Sequence, residues 1–185
     1  MRKLISYINI TPDGFCDHTA VIADEELHEN ANELFRSADT VVFGRVTYQL
    51  MESYWPSVAK KPTGIKSVDE FAVLIDNINK IVFSRTLKNI EWKNTKLATE
   101  GIKKEILKLK QQSGKNILVG SPNIISELTK LGLIDEYYFL VQPMLAGNGK
   151  RFFETVNLNK SQNLKLTDTK FLKSGVVALR YQNDN

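Results

Sequence analysis

The sequence predicts a mixed, mostly parallel α/β sheet with helices on both faces and an antiparallel C-terminal hairpin. From residue 4 to residue 141, short apolar runs alternate with segments of helical period. Strands that are joined through helices pair in parallel, and their right-handed crossovers build one sheet. Residues 164–171 and 176–181 instead alternate with period two around a turn at residues 173–175, which indicates two antiparallel strands.

The first half of the chain begins with a strand and continues with a capped helix. Residues 4–10 are an apolar strand that is closed by the turn TPDG. Asp24 is a suitable N-cap for a helix that runs to about residue 37, because apolar side chains recur there at helical spacing. The other elements predicted here are strands at 40–43 and 80–83, a helix at 46–53, a short helix after a capping box of Ser67 and Glu70, and loops at SYWPS and KKPTG.

The second half contains the clearest helix start of the chain. Ser121 suits the cap position and Pro122 the first helical position, and Gly132 ends the apolar stripe that follows. Another helix is expected at residues 99–113, with Gly114 just beyond its end. The remaining predicted strands are residues 96–98, 116–119 and 137–141.

The composition is that of one globular domain covering residues 1–185. The chain is 42% hydrophobic and 25% charged, which suits a buried core and argues against disorder. Cys16 is its one cysteine, so an intrachain disulfide is excluded. The opening residues are too polar for a signal peptide, and no apolar run is long enough for a membrane span. We therefore expect a cytoplasmic protein with no membrane partner.

The charge distribution argues against a nucleic-acid partner. The net charge is +4, and much of the excess lies between Lys80 and Lys115. Trp92 is the one aromatic residue between Lys88 and Lys110, whereas surfaces that bind single-stranded nucleic acid combine positive charge with several aromatic side chains. We interpret the lysines as a solvated face. His18 and His28 have no partners at metal-binding spacing, so we expect no metal.

Two strand-to-helix junctions carry residue types that suit a phosphate. The strand VVF runs through Gly44-Arg45 into a helix with Thr47 in its first turn, and the strand ILV runs through Gly120-Ser121 into another helix. The first turn of a helix offers free N–H groups and the positive end of the dipole, and glycine lets an anion approach the backbone. Taken alone, each junction is more typical of a plain turn than of a binding site.

A third strand end adds a second guanidinium group. The strand KIVF ends in Ser84-Arg85, and the carboxyl ends of parallel strands meet at one edge of a sheet. Arg45 and Arg85 together suit a phosphate, since guanidinium groups bind it through paired hydrogen bonds. The chain has no G-x-G-x-x-G, so the dinucleotide fingerprint is excluded.

Four sequence blocks, in this order, resemble the dihydrofolate reductase superfamily. They are the opening strand with PDG, then SADTVVFGRVTYQLMESYWP, INKIVFSRTL and ILVGSPNIISELTKLGLIDEYYFLVQPMLAGNGKRFF. They are most similar to the branch that contains the C-terminal reductase domain of bacterial riboflavin biosynthesis. The resemblance covers about residues 4–181 and implies a dihydrofolate reductase-like three-layer sandwich.

The resemblance also implies an NADPH-dependent reductase and assigns residues to the cofactor. Arg45 and Thr47, beside Gly44, would hold phosphates on the adenosine side, and Ser84 and Arg85 would flank the adenosine 2′-phosphate. The residues expected at the pyrophosphate and the nicotinamide side are Gly120, Ser121, Asn123 and Ile124. The family often has two glycines where this chain has Gly120-Ser121, so we expect the serine hydroxyl to bond the phosphate instead.

On the substrate side, Asp13 matches the Asp-Gly turn that follows the first strand in this family. It is the candidate catalytic residue, and a plain turn role is the alternative. Met51, Tyr54 and Trp55 are candidates for the floor of a substrate pocket, or else for core packing. The resemblance implies hydride transfer to a pyrimidine that carries a ribosylamino phosphate, as in riboflavin synthesis, or to a related pterin.

Two alternatives stay open beside that reductase. The first is dihydrofolate reductase activity, although no residue of the first helix cleanly matches the carboxylate of folate reductases. The second is a non-catalytic NADPH-binding or sensor protein that kept the fold. Relatives in this branch are commonly homodimers, and the terminal hairpin offers a sheet edge that a second copy can cover.

Overall fold

The computed structural model describes residues 1–154, 158 and 161–184, and within them one eight-stranded sheet forms the middle layer. The strands are β1 Leu4–Ile10, β2 Ala38–Gly44, β3 Asn79–Phe83, β4 Thr95–Leu97, β5 Asn116–Val119, β6 Glu136–Val141, β7 Leu164–Phe171 and β8 Val177–Asn183. Their spatial order is β4-β3-β2-β5-β1-β6-β8-β7. The first six pair in parallel, whereas β8 pairs antiparallel with β6 and β7 with β8. The predicted mixed sheet and its antiparallel hairpin are confirmed.

Helices cover both faces of the sheet, which confirms the three-layer architecture. They are α1 Glu25–Arg36, α2 Arg45–Glu52, α3 Trp55–Lys60, α4 Lys66–Asn77, α5 Ile102–Gln111 and α6 Pro122–Lys130. One core contains Ile5 of β1 with Leu34 of α1 and Ile75 of α4. The other core contains Leu4 of β1 with residues of α5 and α6, such as Ile125. Neighbouring residues of β1 therefore enter opposite cores, as expected for a strand covered on both faces.

The start of α1 agrees with the prediction. Asp24 is the N-cap, and its Oδ1 accepts a hydrogen bond from the Leu27 backbone N–H at 2.7 Å. The helix ends at Arg36, with Ser37 as its C-cap. An N-cap carboxylate satisfies one of the unpaired N–H groups of the first turn and favours this start.

The predicted loop SYWPS is wrong in its second half, because α3 begins at Trp55. Pro56 lies at one of the first helical positions, where its missing N–H removes no intrahelical hydrogen bond. The helix α5 is also shorter than predicted, spanning Ile102–Gln111 rather than residues 99–113.

The predicted capping box of Ser67 and Glu70 is also wrong. The helix α4 begins at Lys66, so Ser67 lies within its first turn and is buried. The side chain that organises this start is Asp69, whose carboxylate accepts hydrogen bonds from the N–H groups of Thr63 and Gly64 at 2.7 and 3.0 Å. The Asp69 side chain therefore bonds backbone groups of the loop before the helix, and not the N–H groups of the first helical turn.

The amino ends of the parallel strands carry a group of ion pairs, which we call the amino edge. Buried Arg2 pairs with Asp39 and also donates to the Thr40 hydroxyl at 2.8 Å. Lys110 of α5 bonds both carboxylate oxygens of Asp135, at 2.8 and 2.7 Å. Because these charges are paired and hydrogen-bonded, their burial is compensated.

Glu136 completes the amino edge at the start of β6. Its carboxylate is buried and accepts hydrogen bonds from Lys3 at 2.7 Å and from Arg180 Nε at 2.8 Å. Burial alone would raise the pKa of Glu136, but the two cationic donors outweigh it and hold that pKa below its ordinary value. The carboxylate is therefore ionised in the folded protein at neutral pH.

Candidate functional site

The topology places a ligand crevice at the carboxyl edge of the sheet. The connection after β1 leads to β2 through α1 on one face of the sheet, and the connection after β5 leads to β6 through α6 on the other face. Neighbouring strands whose connections leave to opposite faces form a crevice at their carboxyl ends, where α/β proteins bind ligands. Since β3, β2 and β5 are also adjacent, the ends at Ser84, Gly44 and Gly120 lie side by side, as predicted.

A cleft of about 780 Å³ occupies this position. Its volume is in the range of small-molecule sites. The sequence-predicted residues among its lining are Gly44, Arg45, Thr47, Met51, Trp55, Gly120, Ser121, Asn123 and Ile124. The structure thus brings both predicted helix starts and two predicted substrate residues into one cavity. The candidates outside its lining are Asp13, Tyr54, Ser84 and Arg85.

A side chain joins the two helix starts. The backbone N–H of Gly44, the N-cap of α2, donates to Ser121 Oγ at 2.9 Å, and Ser121 is 3% exposed. The serine hydroxyl therefore bonds the neighbouring junction instead of capping its own helix. Among the residues that the structure describes, no side chain caps α2 or α6, so the N–H groups of both first turns are available to a ligand.

The close approach of these two helices explains the glycine at position 44. A Cβ atom built there would lie 3.3 Å from Ile124 Cγ1, which is a tight contact. The backbone φ of Gly44 is −85°, a value that any residue adopts, so conformation does not require glycine here. Space between α2 and α6 is the reason for the small residue.

Two arginines follow strand ends near the part of the cleft that α2 and α6 form, which we call its outer end; Arg45 lines the cleft and Arg85 does not. Arg45 is exposed and donates to Gln49 Oε1 at 3.1 Å, and Arg85 is exposed on the loop after β3. Within residues 1–154, 158 and 161–184, neither guanidinium forms an ion pair with a carboxylate. Ser84 Oγ accepts from the N–H groups of Thr86 and Leu87 at 3.2 and 2.9 Å. This turn fixes the backbone that presents Arg85.

The inner end of the cleft is an aromatic compartment, formed by side chains of α1, α3 and α4. The rings of Trp55 and Phe71 meet edge to face, with centroids 4.6 Å apart, and Phe35 meets Phe71 at 5.0 Å. His28 stands at 6.0 Å from both Trp55 and Phe71. Tyr54 packs against Trp55 from outside and is 51% exposed. Such walls favour a flat, largely apolar ligand.

Asp13 lies in the turn after β1 and holds a neighbouring loop. Its carboxylate accepts from the Thr11 hydroxyl at 2.5 Å and from the N–H groups of Ala146 and Gly147 at 3.2 and 2.8 Å. The Thr11 bond and then the Gly147 bond lower the pKa of Asp13 below its ordinary value. An ionised carboxylate with these partners is suited to positioning the loop after β6, and its catalytic assignment stays a prediction.

Several cleft residues were not among the site residues that the sequence analysis selected. Tyr7 of β1 lines the cleft and stacks on Tyr138, with ring centroids 5.8 Å apart; burial, with the neighbouring Tyr138 phenol, raises the pKa of Tyr7. His28 and Lys150 also line it. The available signal was His28, a polar side chain inside the apolar stripe of α1 that runs through Leu27 and residues 31–35.

No metal site or membrane span accompanies the cleft in the described part of the chain. Across those ranges, no three His, Cys, Asp or Glu side chains are grouped to hold a metal ion. None of the helices described has the length and apolar content that crossing a bilayer requires.

The sheet order, the three layers and the position of the cleft define a protein of dihydrofolate reductase-like fold. The chain belongs to the RibD C-terminal domain family, whose model matches residues 2–178. It is 30% identical to the uncharacterized protein YyaP of Bacillus subtilis, over 97% of this chain and 94% of that protein.

Solved structures share this fold at low sequence identity. A putative riboflavin biosynthesis protein from Shewanella superposes with a TM-score of 0.76 at 17% identity, covering 99% of both chains. A diaminohydroxyphosphoribosylaminopyrimidine deaminase/5-amino-6-(5-phosphoribosylamino)uracil reductase from Thermotoga maritima gives 0.67 at 16% identity, covering 98% of this chain and 56% of that one. Dihydrofolate reductase from Enterococcus faecalis, complexed with NADP(H), gives 0.60 at 14% identity, covering 99% and 97%.

Proposed function

We propose that the chain is an NADPH-dependent reductase that transfers a hydride to a pyrimidine or pterin-type substrate. The observation that carries the proposal is the pair of uncapped helix starts, tied together by the hydrogen bond from Gly44 to Ser121 and opening onto the aromatic compartment. This arrangement combines an anion-binding end with a flat apolar end in one cleft.

The residues at the outer end fit a nicotinamide dinucleotide phosphate. Unpaired N–H groups of α2 and α6 and the hydroxyl of Thr47 suit the phosphates between the two nucleosides, with Arg45 beside them. Ser84 and Arg85 are proposed to meet the 2′-phosphate, which distinguishes NADPH from NADH. Gly120, Asn123 and Ile124 would contact the nicotinamide side. Bound there, NADPH supplies the hydride, and the chain holds and orients both reactants.

The residues at the inner end fit a planar heterocycle. Met51 and Trp55 line the cleft beside Phe71, and we propose them as the surface on which the substrate ring packs. Tyr54 is proposed at the rim. Lys150 lines the same cleft, and its amine suits a phosphate on the substrate. The T. maritima neighbour, a phosphoribosylamino-uracil reductase by its description, supports a substrate of that class. The E. faecalis neighbour supports the pterin alternative.

A non-catalytic NADPH-binding protein is the second candidate. It is favoured by the carboxylates at the start of α1, because Asp24 caps Leu27 and Glu26 accepts from the Lys173 N–H at 2.6 Å. Neither of these two acids lines the cleft, so neither is placed there to serve as the proton source. Tight NADPH binding without oxidation by any aminopyrimidine or pterin substrate would favour this candidate over the reductase.

We also propose a cytoplasmic homodimer that associates through the hairpin. The edge strand β7 leaves Leu166 and Phe171 50% and 76% exposed, so a second copy would cover apolar surface there. Light scattering should give twice the 21.0 kDa mass of one chain. A monomer mass at working concentrations would refute the proposed dimer.

Two arginine substitutions test the cofactor assignment. Arg85→Ala should weaken NADPH binding about 10- to 100-fold and leave NADH binding almost unchanged, because a charge-assisted hydrogen bond to the 2′-phosphate is lost. Arg45→Ala should weaken both nucleotides if it holds the phosphates they share. Fluorescence titration gives the affinities, and Lys88→Ala, an exposed cation three residues beyond Arg85, is the matched control. Equal losses for NADPH and NADH in Arg85→Ala would contradict the assignment.

A further inference from the structure

The aromatic compartment contains one histidine, which is held in place on two sides. The ring of His28 stands edge-on to Trp55 at an interplanar angle of 64° and to Phe71 at 74°. The ring is half-buried, and the residue lines the cleft. A polar ring fixed within apolar walls has the properties of a group that orients a ligand, since few polar groups are available there to do so.

A hydrogen bond to the backbone determines which ring nitrogen is available. Nδ1 of His28 lies 2.7 Å from the carbonyl oxygen of Asp24, one helical turn earlier. A carbonyl only accepts, so Nδ1 carries the hydrogen, and Nε2 of the neutral ring is then a hydrogen-bond acceptor. Among the residues that the structure describes, no group bonds Nε2. Nε2 is therefore the ring nitrogen of His28 that is available to accept a hydrogen bond.

The acidic residues at the start of α1 do not compete with His28 for a ligand. Asp24 and Glu26 are hydrogen-bonded to the backbone N–H groups of Leu27 and Lys173. Glu25 is exposed to solvent and does not line the cleft. His28 is consequently the side chain of α1 that can make a polar contact with a ligand in the compartment.

We infer that His28 is a specificity-determining residue whose Nε2 accepts a hydrogen bond from a ring N–H or amino group of the substrate heterocycle. The inference rests on the proposed function for the presence of a planar substrate, and it adds the group that fixes its orientation. Flat aromatic walls hold a ring between them but do not select its rotation within that plane. One acceptor at the edge of the ring selects a single rotation and rejects rings that lack a donor there.

Calorimetric titration of 5,6-diaminouracil, a planar pyrimidine with ring N–H and amino donors, tests the inference. His28→Phe keeps an aromatic ring and removes Nε2, and we expect about 10-fold weaker diaminouracil binding, the loss of one hydrogen bond. His28→Gln places an amide near the Nε2 position and should restore part of the affinity. Glu29→Gln, an exposed neighbour on α1, is the control and should bind as the unmodified protein does. NADPH affinity should be the same in all three variants.

Nitrogen-15 NMR of the unmodified protein gives a readout that does not depend on the stability of a variant. The chain contains two histidines, so one substitution assigns their ring signals. The Nε2 signal of His28 should shift when diaminouracil binds. An unmoved signal, equal affinity in His28→Phe, or no diaminouracil binding to the unmodified protein would each overturn the inference. Failure to bind NADPH would instead overturn the proposed function, because the diaminouracil titration is also made without cofactor.

Discussion

The charged side chains at the two ends of the parallel strands differ in whether they form ion pairs. At the amino edge, Arg2 pairs with Asp39, and Lys110 with Asp135, so the buried charges there are compensated within the protein. At the carboxyl edge, within the described ranges, the guanidinium groups of Arg45 and Arg85 have no carboxylate partner, and two helix starts lack a side-chain cap. The comparison indicates that the first edge stabilises the fold, and the second edge is the one at which we propose that a ligand binds.

The largest expected effect is at the amino edge. Asp39→Asn leaves the guanidinium of Arg2 buried without its countercharge, and we expect a loss of about 3 kcal/mol in the free energy of unfolding. Urea unfolding measures it, with NADPH affinity as the second readout. Glu70→Gln, which breaks an exposed pair with Arg36, is the control and should cost about 0.5 kcal/mol or less. If Asp39→Asn reduced the free energy of NADPH binding as much as the free energy of unfolding, the amino edge would also serve binding, and the division of roles between the two edges would be wrong.

A smaller effect at the same edge should depend on pH. Glu136→Gln removes a buried acceptor of two cationic donors and should lower the free energy of unfolding by about 2 kcal/mol at pH 7. The pKa of Glu136 is lowered in the folded state, so its stabilisation is present above the ordinary pKa of 4.5 and is lost as the pH falls through the folded-state value.

Thermal unfolding of both proteins from pH 7 to pH 3 measures this dependence. The difference between the native protein and Glu136→Gln should shrink on acidification, because the native carboxylate becomes protonated. A difference that stays constant over this range would show that the substitution acts through packing rather than charge.

The smallest expected change in stability is at the carboxyl edge. Ser121→Ala removes the acceptor of the Gly44 N–H and should cost about 1 kcal/mol, with a few-fold weaker NADPH binding because the two helix starts are no longer tied. Ser113→Ala, at an exposed serine, is the control. Lower stability with unchanged NADPH affinity would mean that Ser121 serves the fold alone, and the comparison of the two edges would then need revision.

The predictable part of the fold is the part whose signals are local in sequence. The strands β1 and β5 agree with the prediction residue by residue, because each is a short apolar run bounded by polar or turn residues. The helix α3 was not predicted, since a proline between aromatic and polar residues is as typical of a loop as of a helix start. The cap of α4 was assigned to the wrong residue because Asp69 bonds a loop five and six residues earlier.

Residues of the candidate site could be predicted only where the residue type itself, at its position in the sequence, suggests a binding role. Glycine before an arginine at a strand end predicted the region of Gly44 and Arg45, and both line the cleft. The partner of Ser121 could not be predicted, since Gly44 lies 77 positions away and meets it only through the sheet order. His28 was not selected because periodicity shows that a side chain faces inward, but not whether it meets packed core or open space.

The strand at the middle of the sheet, β1, also precedes its two sheet neighbours by a long way in chain order. Leu4 of β1 pairs with Ile117, and Ile5 pairs with Glu136, so both neighbours of β1 are translated long after it. A nascent chain therefore keeps an apolar strand without its partners until β5 and β6 have left the ribosome, and contacts of such long sequence separation slow folding. Protease resistance of stalled nascent chains should appear only once β6 has emerged, and chaperone dependence should be greatest just before that point.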